Sequence, residues 1–146
     1  MFKSKYSFLQ RMKAQEYPAV ATTFIGFEEI AAKEVKELIG KKATAKKATV
    51  YFSATQEELA KLCYTTQSLR RVLQLIGTFS TNASLTTLKE ACTTVLKKTD
   101  MTFLNGRRFR VECERHGEQQ FTSNDAAATI GAVILEENNE AIVDLD

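Results

Sequence analysis

From Arg108 to Glu114 polar and apolar residues alternate, with Phe109, Val111 and Cys113 on one side and Arg108, Arg110, Glu112 and Glu114 on the other. That is the period of a half-buried strand. Further on, Ala126, Ile130, Val133 and Ile134 recur at helical spacing, which predicts a helix running to about Asn138, followed by a last short strand over residues 141–145. Upstream, residues 19–25 read as a strand. Gly26 then opens a helix with Phe27, Ala31, Val35 and Leu38 as its inner stripe and Gly40 as its C-cap. Two short strands, 43–45 and 49–53, flank Lys46-Lys47, and Val50 and Phe52 mark the buried side of the second. The tetrad Thr55-Gln56-Glu57-Glu58 is a capping box that starts a helix packing through Leu59, Leu62 and Cys63. Residues 72–79 complete a β-α-β-β-α-β order, the order of a ferredoxin-type unit. A small, polar stretch at 78–86 reads as a linker. A second capping box, Thr87-x-x-Glu90, then starts a helix with Leu88, Cys92, Val95 and Leu96 inside. The fold class is therefore α/β of the α+β kind, with a first domain over residues 1–80, of which 1–17 form a leader, and a second over 81–146.

Composition limits what such a chain can do. Its 146 residues, 44% hydrophobic and 26% charged, suffice for one ordinary core or two small ones. The net charge of +2 is too small to argue for nucleic-acid binding, but its distribution is uneven. Residues 1–80 carry 13 Lys/Arg against 7 Asp/Glu, a net +6, and residues 81–146 carry 7 against 11, a net −4. The pairs Lys41-Lys42, Lys46-Lys47 and Arg70-Arg71 offer a phosphate-facing field or, taken singly, ordinary solvated lysines and arginines. No apolar run approaches a membrane span, and residues 1–17 lack the hydrophobic centre of a secretory signal. The expectation is a cytoplasmic protein with no membrane partner. Cys63, Cys92 and Cys113 are odd in number and fall on apolar stripes, the pattern of reduced core thiols and not of a disulfide or zinc framework.

Candidate chemistry gathers between the Arg-rich strand and the last helix. Arg115, His116, Gly117, Phe121, Thr122 and Ser123 are expected beside a helix N-terminus whose uncapped amides and dipole favour phosphate. Such a corner is suited to holding RNA. Two readings stand for Arg115, an RNA contact and a solvated charge. Two also stand for Arg107, Arg108 and Arg110, which either meet phosphate or join a salt network with Glu112 and Glu114. Phe121 is either a hydrophobic staple or a base-stacking platform. Ser123 is the expected N-cap, with Thr122 and Asn124 as alternative registers. His116, the only histidine, has neither a second metal ligand nor a nucleophile at useful spacing, and reads as a turn residue.

In order along the chain, Phe24-x-Gly-Phe-Glu, Glu34-Val-Lys-Glu-Leu-x-Gly, Arg70-Arg71-Val-Leu, and Phe109-Arg-Val-x-x-x-Arg-x-Gly followed by Phe121-x-Ser resemble the N-terminal part of THUMP-containing RNA methyltransferases. In that family a ferredoxin-like domain precedes a THUMP domain. The resemblance covers about residues 19–146. It implies that this region binds structured RNA. It also implies that a separate Rossmann-type domain uses S-adenosylmethionine to methylate the N2 of a guanine in tRNA or large-subunit ribosomal RNA. No glycine-rich cofactor loop follows a strand here, and Pro18 is the only proline, so no Asn/Asp-Pro-Pro-aromatic motif exists. The chain itself is therefore expected to hold no cofactor and catalyse nothing. It ends at Val143-Asp-Leu-Asp, where the family continues through an Asn-Pro turn into a further strand, so the THUMP domain is expected to be incomplete. The function implied is an RNA-binding module, tRNA slightly ahead of ribosomal RNA, that positions its target for a methyltransferase domain in cis. Two alternatives are a stand-alone THUMP adaptor for a partner tRNA-modifying enzyme and a protein-protein interaction module.

Overall fold

The computed structural model describes residues 15–115 and 117–145. The chain forms two compact units, Met1–Leu75 and Ile76–Asp146.

In the first unit, strands β1 (Tyr17–Thr22), β2 (Thr44–Lys46), β3 (Thr49–Ala54) and β4 (Arg71–Gln74) form one antiparallel sheet in the order β2-β3-β1-β4. Helices α1 (Glu28–Ile39) and α2 (Gln56–Thr65) connect them in the expected β-α-β-β-α-β sequence. Alternation along the strands puts Ala19, Ala21, Val50, Phe52 and Ala54 into a core shared with Ala31 and Val35 of α1 and Leu62 of α2. Val35, Val50 and Leu62 are fully buried, and the alanines of β1 leave room for the helices to lie close to the sheet. Gly40, at φ 72°, closes α1 by donating its N–H to the Lys36 carbonyl, a left-handed cap that costs glycine nothing. Thr55 and Glu58 form the expected capping box of α2.

Two carboxylates fasten the loops to α1. Glu34 accepts hydrogen bonds from Thr66 Oγ1 (2.7 Å), Gln67 N–H (2.7 Å), Ser68 N–H (3.0 Å) and the Ser68 hydroxyl. Glu28 accepts from Gly26 N–H and Ala48 N–H, both at 2.8 Å, and so holds the β2–β3 turn in which Ala48 takes a positive φ of 57°.

The second unit is built on helices α3 (Leu85–Leu96) and α4 (Ser123–Glu137), which bury Cys92, Leu96, Met101 and Val133 between them with Ile130 and Ile134 alongside. Burial pushes the Cys92 thiol pKa up, as befits a core thiol. Strands β5 (Arg108–Phe109) and β6 (Ile142–Val143) pair in parallel, Arg108 opposite Ile142 and Phe109 opposite Val143. Asn138 Nδ2 ties the end of α4 to the Met101 carbonyl and to Asn105 Oδ1, each at 2.9 Å.

Several sequence-based expectations fail for identifiable reasons. The strand expected over 108–114 is paired only at Arg108 and Phe109, because β6 offers just two residues. The alternation still shows in exposure: Phe109, Val111 and Cys113 are half-buried, and the charged residues between them are exposed. Periodicity reports sidedness, and a ladder also needs a partner. In the same way β4 ends at Gln74, close to where β1, its neighbour, begins, and Ile76 and Phe79 are left exposed. Helix α3 starts earlier than Thr87: Ser84 is its N-cap and accepts the Thr87 N–H. Phe27 and Cys63 are exposed instead of lining the core. Phe27 sits at the N-cap of α1, where the helical stripe has not begun, and packs edge-on against Phe24. Of the strand expected over 141–145 only Ile142 and Val143 pair, and among those five residues only Ala141 is buried.

Glu34 yields a test by unfolding. Burial opposes its ionisation, yet the hydrogen bonds from Ser68, Thr66 and Gln67 outweigh that and hold its pKa below the ordinary 4.5. A depressed carboxylate stabilises the fold when ionised, so the contribution is complete near neutral pH and is lost as the pH falls below 4.5 through the folded-state value. Glu34→Gln is expected to cost about 1–2 kcal/mol at pH 7 in urea unfolding, with the difference from wild type shrinking in acid. A difference that does not change with pH contradicts this role.

Candidate nucleic-acid interface

The segment from β5 to α4 is organised by one guanidinium. Arg115 donates from Nε to Ser123 Oγ at 3.2 Å, and from a terminal nitrogen to Gln119 Oε1 at 3.2 Å and to the Phe121 carbonyl. Its planar, multi-donor head suits this fork, which draws residues 119–123 around the start of α4. The helix start is itself capped. Thr122 is the N-cap, its Oγ1 accepting the Asp125 N–H at 3.2 Å, while the Asp125 carboxylate accepts the Thr122 N–H at 2.8 Å and hydroxyl at 2.7 Å. These backbone and side-chain bonds from Thr122, with the nearby Arg115 charge, hold the Asp125 pKa below its ordinary value.

Two expectations change here. The N-cap is Thr122 and not Ser123, which is already the first residue of α4 and whose hydroxyl serves Arg115. The amides are also not left uncapped, because a Thr-x-x-Asp box closes the helix and sets a carboxylate at its positive end. Asp125 is the residue that sequence reasoning missed. The signal was present in Thr122-Ser-Asn-Asp125, but it was hidden among three adjacent residues each able to cap.

Three other arginines lie on and beside β5. Arg107, Arg108 and Arg110 are exposed. Arg108 reaches Asp144 at 3.1 Å across the β5–β6 pair, and Arg110 reaches Glu112 at 2.6 Å. Both ion pairs are solvent-facing, where such contacts are worth about 0–1 kcal/mol, so a phosphate group can displace them at little cost. Phe121 is half-buried and Asn124 exposed. Arg115, Phe121 and Ala126 share a shallow hollow of about 340 Å³ with Leu88 and Ile130. His116 lies outside the described residues. Arg70 and Arg71 belong to the first unit, where the Arg70 guanidinium stands 5.1 Å from the centre of the Phe24 ring and Arg71 is exposed on β4. Among the described residues no group of three or more His, Cys, Asp or Glu could hold a metal, and no helix is long and apolar enough to cross a membrane.

Residues 19–73 match the model of the RlmL ferredoxin-like domain, and residues 82–146 match that of the THUMP domain. Together they place an RlmL-type ferredoxin-like domain ahead of a THUMP domain in this chain. Solved structures share the fold. A predicted N6-adenine-specific DNA methylase from Listeria monocytogenes aligns with a TM-score of 0.75 at 21% identity, over 91% of this chain and 33% of its own. TrmN from Thermus thermophilus gives 0.64 at 22%, over 90% and 39%. A 4-thiouridine synthetase solved as an RNA complex with ATP gives 0.50 at 14%, over 90% and 36%. This chain thus spans about a third of the length of the structures it resembles. No sequence among the curated proteins matches it.

The cap and the fork separate by experiment. Thr122→Ala is expected to destabilise the second unit by about 1 kcal/mol in denaturant unfolding. Arg115→Ala should instead speed amide exchange at residues 119–121 with little change in the unfolding midpoint; a large drop in that midpoint would show that Arg115 supports the core and not the loop.

Proposed function

We propose that this chain is the RNA-holding part of a guanine-N2 RNA methyltransferase, binding structured RNA, tRNA in preference to large-subunit ribosomal RNA. On this reading it presents the RNA to an S-adenosylmethionine-dependent catalytic domain, in cis or in a partner enzyme. The family match supports RNA binding, and among its fold relatives are TrmN and a synthetase solved with RNA. The observation that carries the reading is a run of three exposed arginines, Arg107, Arg108 and Arg110, on and beside β5, followed along the chain by a loop whose shape Arg115 fixes. In the second unit acidic residues outnumber basic ones, so attraction for a polyanion has to be local there. Three exposed arginines within four residues, 107 to 110, supply it.

The chain's own residues then do positioning work. Arginine contacts to phosphate fix register and orientation without reading sequence, and the base to be modified is delivered elsewhere. Arg115 acts through the loop it holds. The exposed arginines exchange weak surface ion pairs for phosphate. S-adenosylmethionine would supply the methyl group when bound, but the glycine-rich strand-to-helix loop expected of its binding domain has no counterpart at the β1–α1 connection, where Gly26 is the sole glycine. No step of methyl transfer is assigned to this chain.

Binding held by backbone charge has a measurable signature. With about three phosphates neutralised, the logarithm of affinity for an RNA duplex should fall against the logarithm of salt with a slope near −2 to −3. Arg107→Ala and Arg110→Ala should each reduce the slope by about 1. A flat salt response sinks the reading. Titration calorimetry of the purified chain with S-adenosylmethionine should show no heat of binding, and a micromolar dissociation constant would contradict the division of labour proposed here.

A further inference from the structure

The sheet of the first unit has a second face, turned away from α1 and α2, and strand register fixes what stands on it. Lys46 lies opposite Thr49, Thr49 opposite Thr22, and Thr22 opposite Arg71. One row across all four strands therefore reads Lys46–Thr49–Thr22–Arg71. The next row, by the same pairing, reads Thr44–Tyr51–Val20–Leu73. Cross-strand partners share a face, and the neighbours of these residues along each strand are the ones in the core. None of the outward-pointing strand residues, Pro18 and Ser53 included, is acidic.

The upper row thus places a cation at each edge of the sheet with two hydroxyls between them. At strand spacings of about 4.8 Å the two cations stand roughly 14 Å apart, a distance that a short run of nucleotides spans. The adjacent row provides an apolar floor, with Leu73 45% exposed and Tyr51 half-buried. Lys46 Nζ already sits 4.8 Å from the centre of the Tyr51 ring, so cation and aromatic face are presented together. Hydroxyls and cations in one line and an aromatic ring in the next match the two halves of a nucleotide, phosphate and base. A duplex hides its base faces. An unpaired strand offers them, and stacking on an aromatic side chain over a sheet is how such strands are held.

We propose that this face of the ferredoxin-like sheet binds unpaired nucleotides of the RNA, with Tyr51 stacking on a base and Lys46 and Arg71 meeting the flanking phosphates. The inference rests on the RNA-binding reading above and deepens it. The α4 corner holds the structured part by its backbone, and the sheet takes a single-stranded segment of the same molecule. Charge complementarity selects this occupant: the outward strand residues include Lys46 and Arg71 and no carboxylate.

The test uses the full chain and two RNAs, a blunt duplex and the same duplex with a four-nucleotide single-stranded extension. Stacking of one base is worth at least about 1 kcal/mol, so the extension should tighten wild-type binding about fivefold or more. Tyr51→Leu, which keeps an apolar side chain in the row, should abolish that gain and leave blunt-duplex affinity unchanged; Tyr51→Phe should retain it. Lys46→Gln should reduce the gain and its salt dependence. A wild-type chain that binds the blunt duplex with no gain from the extension overturns this proposal and leaves the α4 corner standing. So does a gain that survives Tyr51→Leu. A Tyr51-dependent dimer in sedimentation, without an extension effect, assigns the face to a second copy of the chain. Failure to bind either RNA overturns both readings together.

Discussion

Strand β1 is the constraint on which the first unit depends. It pairs with β3 on one side and β4 on the other, so its alternation sets both faces of the sheet at once. Inward it offers Ala19 and Ala21, small enough for α1 and α2 to approach, and just past its end the buried Thr23 donates its hydroxyl to the Ser68 carbonyl at 2.8 Å. Outward it offers Val20 and Thr22, which join the two cross-sheet rows. A slip of one residue would bury the polar row and expose the core. The packing that makes the unit stable and the surface that makes it useful therefore come from the same register.

On the proposed RNA-holding reading the second unit faces a different problem, because a domain with more carboxylates than cations would have to attract a polyanion. It spends several of its carboxylates locally, among them Asp125 on the cap of α4, Asp144 on Arg108 and Glu112 on Arg110. Arg115 is likewise committed to shaping the loop. What remains for a ligand is a small set of exposed arginines on and beside β5, in which orientation comes from the fold and affinity from phosphate. The ion pairs that hold these arginines ready are weak by virtue of their exposure.

Much of this was legible in the sequence. The capping box at Thr55, the glycine that stops α1, and the Ala/Val/Leu stripes are local signals, and local signals survive folding. Strand lengths were not legible, because the alternation at 108–114 cannot reveal that its partner is two residues long. Phe27 was misplaced because a helical stripe was extended one turn too far toward the N-terminus. At the α4 corner the residue types were recoverable, but their division into a cap, a fork and an approach depends on distances that spacing does not contain. The sheet rows were invisible for a stronger reason. Lys46, Thr22 and Arg71 are far apart in the chain, and only register brings them into line.

The central claim is that RNA meets this protein at two surfaces, the α4 corner and the outward sheet face. Backbone amide shifts followed by NMR while the 146-residue chain is titrated with a duplex bearing a single-stranded extension test it most directly. The account predicts changes concentrated at residues 107–125 and on the strands carrying Lys46, Tyr51 and Arg71, with α1 and α2 unmoved. Shifts confined to the helical faces of the two units, or none at all, would contradict it.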